Sequence, residues 1–169
     1  MGAFLASCFV YLVYLHELEI FERGMYSLES AGIFATFPRN LTETTNLDGI
    51  ELFSNFFDQF FATTLFIVGV LAICDSRNTN IPHIIKAVLV GLILLIIGTS
   101  FGLNCGFPVN PARDFGPRLF CLIAGWGTKM FTAGNYFFWI PLVAPMIGAV
   151  SGTLTYQLFI ANHWPEEDL

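Results

Sequence analysis

Apolar residues run almost unbroken through 2–15, 53–74, 82–102 and 137–162, and a shorter run covers 119–124. The three longest reach the roughly 20 residues that a helix needs to cross about 30 Å of hydrocarbon. The pattern therefore predicts membrane-spanning helices over 53–75, 82–102 and 137–162. The run at 2–15 is too short alone and reads as part of a spanning helix over 1–18. Residues 19–52 are polar and carry Gly24, Gly32, Pro38 and Gly49, so they read as a long connecting loop. Asp75 to Asn80 is a short polar connection, and 163–169 is a short acidic tail. The fold class is an all-α membrane protein.

Between two of the apolar runs lies Gly106-Phe107-Pro108-Val109-Asn110-Pro111-Ala112-Arg113-Asp114-Phe115-Gly116-Pro117-Arg118. Asn110 is a good N-cap, and Pro111 suits the first helical position, where a missing N–H costs nothing. A helix over 111–124 would be about 21 Å long at roughly 1.5 Å per residue, too short to cross the bilayer. It reads as re-entrant, a form tolerated only where it is buried in protein or lines a water-filled cavity. Arg113 in its first turn opposes the helix dipole by about 0.3–1 kcal/mol, so helix stability does not explain it. An arginine at membrane depth marks a functional site by default. Asp114 precedes Arg118 by four residues, the favourable order for a helical ion pair.

Composition narrows the class. Of 169 residues, 55% are hydrophobic and only 12% charged, against about 25% charged in soluble domains. The net charge of −6 leaves no basic surface for nucleic acid. The four cysteines show no metal-binding spacing and read as free thiols. His16, His83 and His163 sit near predicted helix ends. No nucleophile–base set or cofactor motif is present, so neither an enzyme nor a cofactor is expected. Gly91, and Gly148 with Gly152, are small-residue signals for close helix packing. Trp126, Tyr136, Trp139 and Trp164 read as interface anchors. Asp58 and Gln59 fall in the first two turns of the 53–75 span, where a wet interfacial carboxylate is one reading of Asp58. Asn40-Leu41-Thr42 is a glycosylation sequon and would place its loop outside the cell. Arg77 and Lys86 favour a cytoplasmic side for the next connection.

Asn110-Pro111-Ala112-Arg113-Asp114, extended by Pro117-Arg118 and Gly125-Trp126-Gly127, resembles the second signature loop of the aquaporin family, in its glycerol-conducting branch, the aquaglyceroporins. Phe34-Ala35-Thr36-Phe37-Pro38 and Trp139-Ile140-Pro141 extend the likeness to almost the whole chain. The resemblance implies an aquaporin-like helical bundle, second half only. The chain is then expected to start inside the family's third spanning helix, with 19–52 as an extracellular loop, 103–125 as the signature loop and half-helix, and 163–169 as a cytoplasmic tail. The second Asn-Pro-Ala that the family's pore requires is not found.

The same resemblance assigns roles. Asn110, Pro111 and Ala112 would be the pore motif. Gly98, Phe107 and Arg113 would form the selectivity filter; water-selective members place a histidine at the position of Gly98. Asp114, Arg118, Pro141 and Leu142 would mark the glycerol type, with Asp114 shaping the loop rather than touching solute. Gln59 would support the signature loop by donating to its buried carbonyls. The implied function is passive conduction of glycerol, small neutral solutes and water across the plasma membrane's lipid bilayer, with a complete channel assembling as a homotetramer. A non-conducting subunit that modulates full-length channels is the alternative.

Overall fold

The computed structural model describes residues 1–39, 41–42, 47–78 and 81–165. The sequon residue Asn40 and the tail 166–169 lie outside them. The described residues form helices α1 (Gly2–Glu22), α2 (Leu28–Ala31), α3 (Gly49–Cys74), α4 (His83–Cys105), α5 (Pro111–Ala124), α6 (Lys129–Tyr136) and α7 (Ile140–Phe159), and no strand. Among them, Gly2–Glu22, Gly49–Cys74, His83–Cys105 and the segment Lys129–His163 are long and apolar enough to cross a membrane.

Helix α1 corrects the expected bound at 18. It continues through Glu19 and Glu22 and stops at Arg23 in the left-handed conformation; glutamate is a good helix former, and its charge alone does not end a helix. Helix α3 starts four residues before 53 because Asp48 and Glu51 form a capping box. Asp48 Oδ1 accepts from the Glu51 N–H at 2.8 Å, and Glu51 Oε2 accepts from the Asp48 N–H at 3.1 Å. The polar loop also contains the short turn α2, capped by Ser27. Helix α4 runs to Cys105 and closes on Gly106 at φ 78°. Before α7 the chain is helical again from Lys129, then breaks where Ala133 is extended and Gly134 and Asn135 have positive φ.

Packing follows the small residues, with one exception. A Cβ added at Gly148 would lie 2.6 Å from the Phe60 carbonyl oxygen, and one at Gly152 would lie 2.6 Å from that of Thr64. These two glycines let α7 lie directly on α3. Thr64 Oγ1 stitches the contact by donating to Phe60 O at 2.8 Å and Gly148 O at 3.1 Å. Gly116 plays the same part where α5 meets α1 at Ala3. Gly91 does not pack closely: no described atom lies within 4 Å of where its Cβ would be. Trp126 is likewise no interface anchor. It is buried, stacked on Tyr26 with centroids 4.0 Å apart, and donates from Nε1 to Ser30 Oγ at 2.9 Å. Around it Leu18, Phe34, Phe120 and Met130 form a core.

The connection after α3 is held by its own charges. Arg77 Nε and Nη2 donate to the two oxygens of Asp75 at 3.1 and 3.0 Å, and the Tyr156 hydroxyl of α7 donates to Oδ2 at 2.9 Å. The Arg77 hydrogen bonds, aided by Tyr156, hold the Asp75 carboxyl down at about 2. A depressed carboxylate contributes stability above its ordinary range, and that contribution is lost as pH falls through the folded value. Asp75 is therefore expected to stay ionised to about pH 2 in the folded chain, and Tyr156→Phe to raise that value. A carboxyl-labelled NMR titration in detergent checks this; an Asp75 titrating in the ordinary carboxylate range counts against the clamp.

Candidate functional site

The site is built on the five residues between α4 and α5. Gly106 turns the chain, and then Phe107 at φ 41° and Val109 at φ 35° also take left-handed backbone. A β-branched residue with positive φ is strained and persists only where its surroundings over-determine it. The surroundings are visible. Pro108 is fully buried. Gln59 of α3, itself buried, accepts from the Val109 N–H at 3.2 Å. This corrects the expected donor role: the loop presents an N–H here, so the amide oxygen of Gln59 serves it while Nε2 donates elsewhere. Two residues before the loop, the Asn104 carbonyl accepts from the Arg39 N–H at 3.0 Å.

Phe107 folds back over α4. A Cβ at Gly98 would stand 2.8 Å from the ring's Cζ, and one at Gly102 would stand 3.7 Å from Cδ1. Residues four apart share a helix face, so these glycines form the groove that receives the ring. The ring covers Gly98, and a histidine at 98 could not coexist with Phe107 in this position.

Asn110 caps α5, with Oδ1 accepting from the Ala112 N–H at 3.0 Å and the Arg113 N–H at 3.2 Å. Its amide nitrogen is left to donate outward, at the positive end of the helix. Asn110, Ala112 and Arg113 are exposed. Arg113 Nη1 reaches the Phe34 carbonyl at 3.5 Å. Arg113 lines two cavities. One, of about 450 Å³, is walled by Phe66, Phe107, Asn110, Pro145 and Met146. The other, of about 640 Å³, has Glu29, Thr36, Arg39 and Thr42 in its wall. Guanidinium and amide donors thus face aromatic and aliphatic side chains.

The remaining candidates divide. Asp114 and Arg118 are fully buried and touch neither cavity. Asp114 Oδ1 accepts from the Thr36 N–H at 2.8 Å and Oγ1 at 2.5 Å, while Oδ2 accepts from Arg118 Nε at 2.6 Å. Arg118 Nη1 donates to the Met130 carbonyl at 2.5 Å and Nη2 to the Thr36 carbonyl. The guanidinium also sits 4.6 Å above the Phe37 ring. The i,i+4 pair is thus the centre of a network joining three segments. Thr36 and Met130 were not legible as its partners; the only sequence signal was the Phe34-to-Pro38 stretch. Pro141 is buried and Leu142 half-buried in the first turn of α7. Neither lines the cavity beside Arg113, to which the same helix contributes Pro145, Met146 and Ala149.

Residues 1–156 match the family model for the major intrinsic protein. The chain is 45% identical to human aquaporin-10 over 98% of its own length and 54% of that protein's. It is 41% identical to human aquaporin-9, over 99% of its own length and 56% of that relative's. It thus spans about half the length of the curated relatives it matches. Its fold superposes on the X-ray structure of the aquaglyceroporin from Plasmodium falciparum with a TM-score of 0.79 and 32% identity, covering 95% of this chain and 61% of that one. A capped half-helix bearing Asn110 and Arg113, set among membrane-length helices, agrees with these likenesses: the chain belongs to the major intrinsic protein family, the aquaporins.

Proposed function

We propose that this chain forms the selectivity half of a passive channel for glycerol, small neutral solutes and water. The observation that carries the reading is the placement of Arg113 and Asn110 opposite apolar walls. A polyol sheds water from its hydroxyls on entering, while its carbon backbone offers no hydrogen bonds. Fixed guanidinium donors, which do not deprotonate, replace the lost hydration. Phe107, Phe66 and Met146 accept the carbon side. The positive end of α5, joined with Arg113, raises a barrier to cations and protons, the arrangement known for aquaporin-type pores. Gly98 and Gly102 seat the Phe107 ring, which gives the cavity an apolar wall for the glycerol carbons, and the likeness to an aquaglyceroporin structure supports glycerol as a solute. We place the channel in the plasma membrane, as a homotetramer.

The test is glycerol and water flux through liposomes containing this chain. Flux above empty liposomes is expected, and Arg113→Ala should raise proton leak relative to glycerol flux. Unchanged permeability and selectivity in the variant would defeat the role given to Arg113; absence of flux from inserted wild-type chain overturns conduction by this chain alone. A second reading, a subunit that modulates full-length channels, is favoured by the exposure of Asn110 and Ala112 at the start of α5. Co-purification with a full-length channel of lowered permeability supports it, and lack of association sinks it.

A further inference from the structure

Asp58 is the tenth residue of the 26-residue α3, about 14 Å along a helix about 39 Å long. With the helix centred on about 30 Å of hydrocarbon, that lies inside the layer rather than at its edge. A carboxylate there demands partners, and it has them. Asn104 Nδ2, on the last turn of α4, donates to Oδ1 at 3.0 Å. Gln59 Nε2 donates to Oδ2 at 2.7 Å. The same Nε2 lies 3.1 Å from Cys105 Sγ, and that sulfur is 4.0 Å from Oδ2.

These contacts decide which way the Gln59 amide faces. With Nε2 turned to the carboxylate and the sulfur, Oε1 faces the Val109 N–H. Turned over, the amide would set an oxygen against the carboxylate and an NH2 against the Val109 N–H, replacing attraction with repulsion at both ends. We propose that Asp58 is a positioning residue for the solute-selecting loop. It fixes the sense of the Gln59 amide, which fixes the strained Val109 between Phe107 and Asn110, and through Asn104 it ties the start of that loop to α3. The consequence for solute selection rests on the channel reading; the geometry does not.

The test is backbone hydrogen exchange of the full chain in detergent, read in a peptide covering 106–110 with α7 peptides as reference. Asp58→Asn keeps the shape but offers one oxygen to two incoming NH2 groups. Loop exchange is expected to quicken on the order of tenfold, in line with a lost charge-assisted hydrogen bond, while α7 is unchanged. Gln59→Leu should quicken it as much, and D58N should add nothing in that background. The swap D58N/N104D moves the carboxylate to the other helix. The amide then carried on α3 donates to it and still accepts from Gln59, so slow exchange should return. Unchanged loop exchange in D58N, equal quickening in α7, failure of the swap, or an added effect of D58N on top of Q59L would each overturn the proposal. Because exchange is read without flux, a chain that conducts nothing overturns the channel reading and leaves this result standing.

Discussion

Arg118→Leu is expected to destabilise the chain by about 3–5 kcal/mol, the cost of breaking a buried ion pair and leaving one charge without its partner. Asp114 would keep its contacts to Thr36 but face an apolar side chain where the guanidinium lay 2.6 Å away. The carbonyls of Thr36 and Met130 would each lose a charged donor. Asp114→Asn retains an oxygen for Thr36 but leaves the buried guanidinium without its counter-charge and turns an NH2 toward Arg118 Nε, so it should cost a similar amount. The double variant D114L/R118L should recover part of the loss, because a paired deletion buries no lone charge, but not all, because the Thr36 N–H stays unserved. Denaturant titration in detergent, followed by fluorescence of the buried Trp126, measures all three. An Arg118→Leu midpoint equal to wild type would show the network to be an ornament of the fold.

The second large effect concerns the contact of α3 with α7. Gly148→Val and Gly152→Val each thrust a Cβ to 2.6 Å from a backbone oxygen, of Phe60 and Thr64 respectively. Backbone cannot rotate aside as a side chain does, so the helices must part. Overpacking of this kind costs about 1–3 kcal/mol per site. The two sites share one interface, so their effects will not add simply. Parting the helices also strips Thr64 Oγ1 from Gly148 O and shifts Pro145, Met146 and Ala149, which wall the cavity beside Arg113. Gly91→Val is the control, since its Cβ enters open space. Thermal unfolding in detergent should rank Gly148→Val and Gly152→Val well below wild type and Gly91→Val near it. Equal midpoints for Gly91→Val and Gly148→Val would refute the packing account.

Features set by neighbours in sequence were legible before the structure was. Asn110 before Pro111 marks the start of α5, since a cap and a missing N–H act within one turn. The Gly148–Gly152 spacing marks a close-packed face. Asp48 and Glu51 held the start of α3 in plain view, three residues apart, yet the apolar run at 53 drew the boundary too late. What was not legible depends on distant partners. Gly91 and Gly98 lie on one face of α4, but only Gly98 meets a ring, because Phe107 reaches back with a backbone conformation no pattern announces. Trp126 carries an interface residue's name and a core residue's surroundings, because Tyr26 arrives from another segment to stack on it. Asp114 and Arg118 could be paired from spacing alone. That the pair would capture Thr36 and Met130 could not be read, since neither has a side chain or neighbour that signals a buried acceptor.

That same network sets an order of events during synthesis. Thr36 leaves the ribosome first, and at about 5–20 residues per second Met130 follows roughly 5–20 s later. Until Asp114, Arg118 and Met130 are made, the amide and carbonyl of Thr36 have no protein partner there and must be served by water. The 33–38 segment therefore cannot settle at depth early. Its latch closes only after α5 has dipped in and the chain has turned toward α7, so the half-helix and the loop above it mature together, late, as one unit.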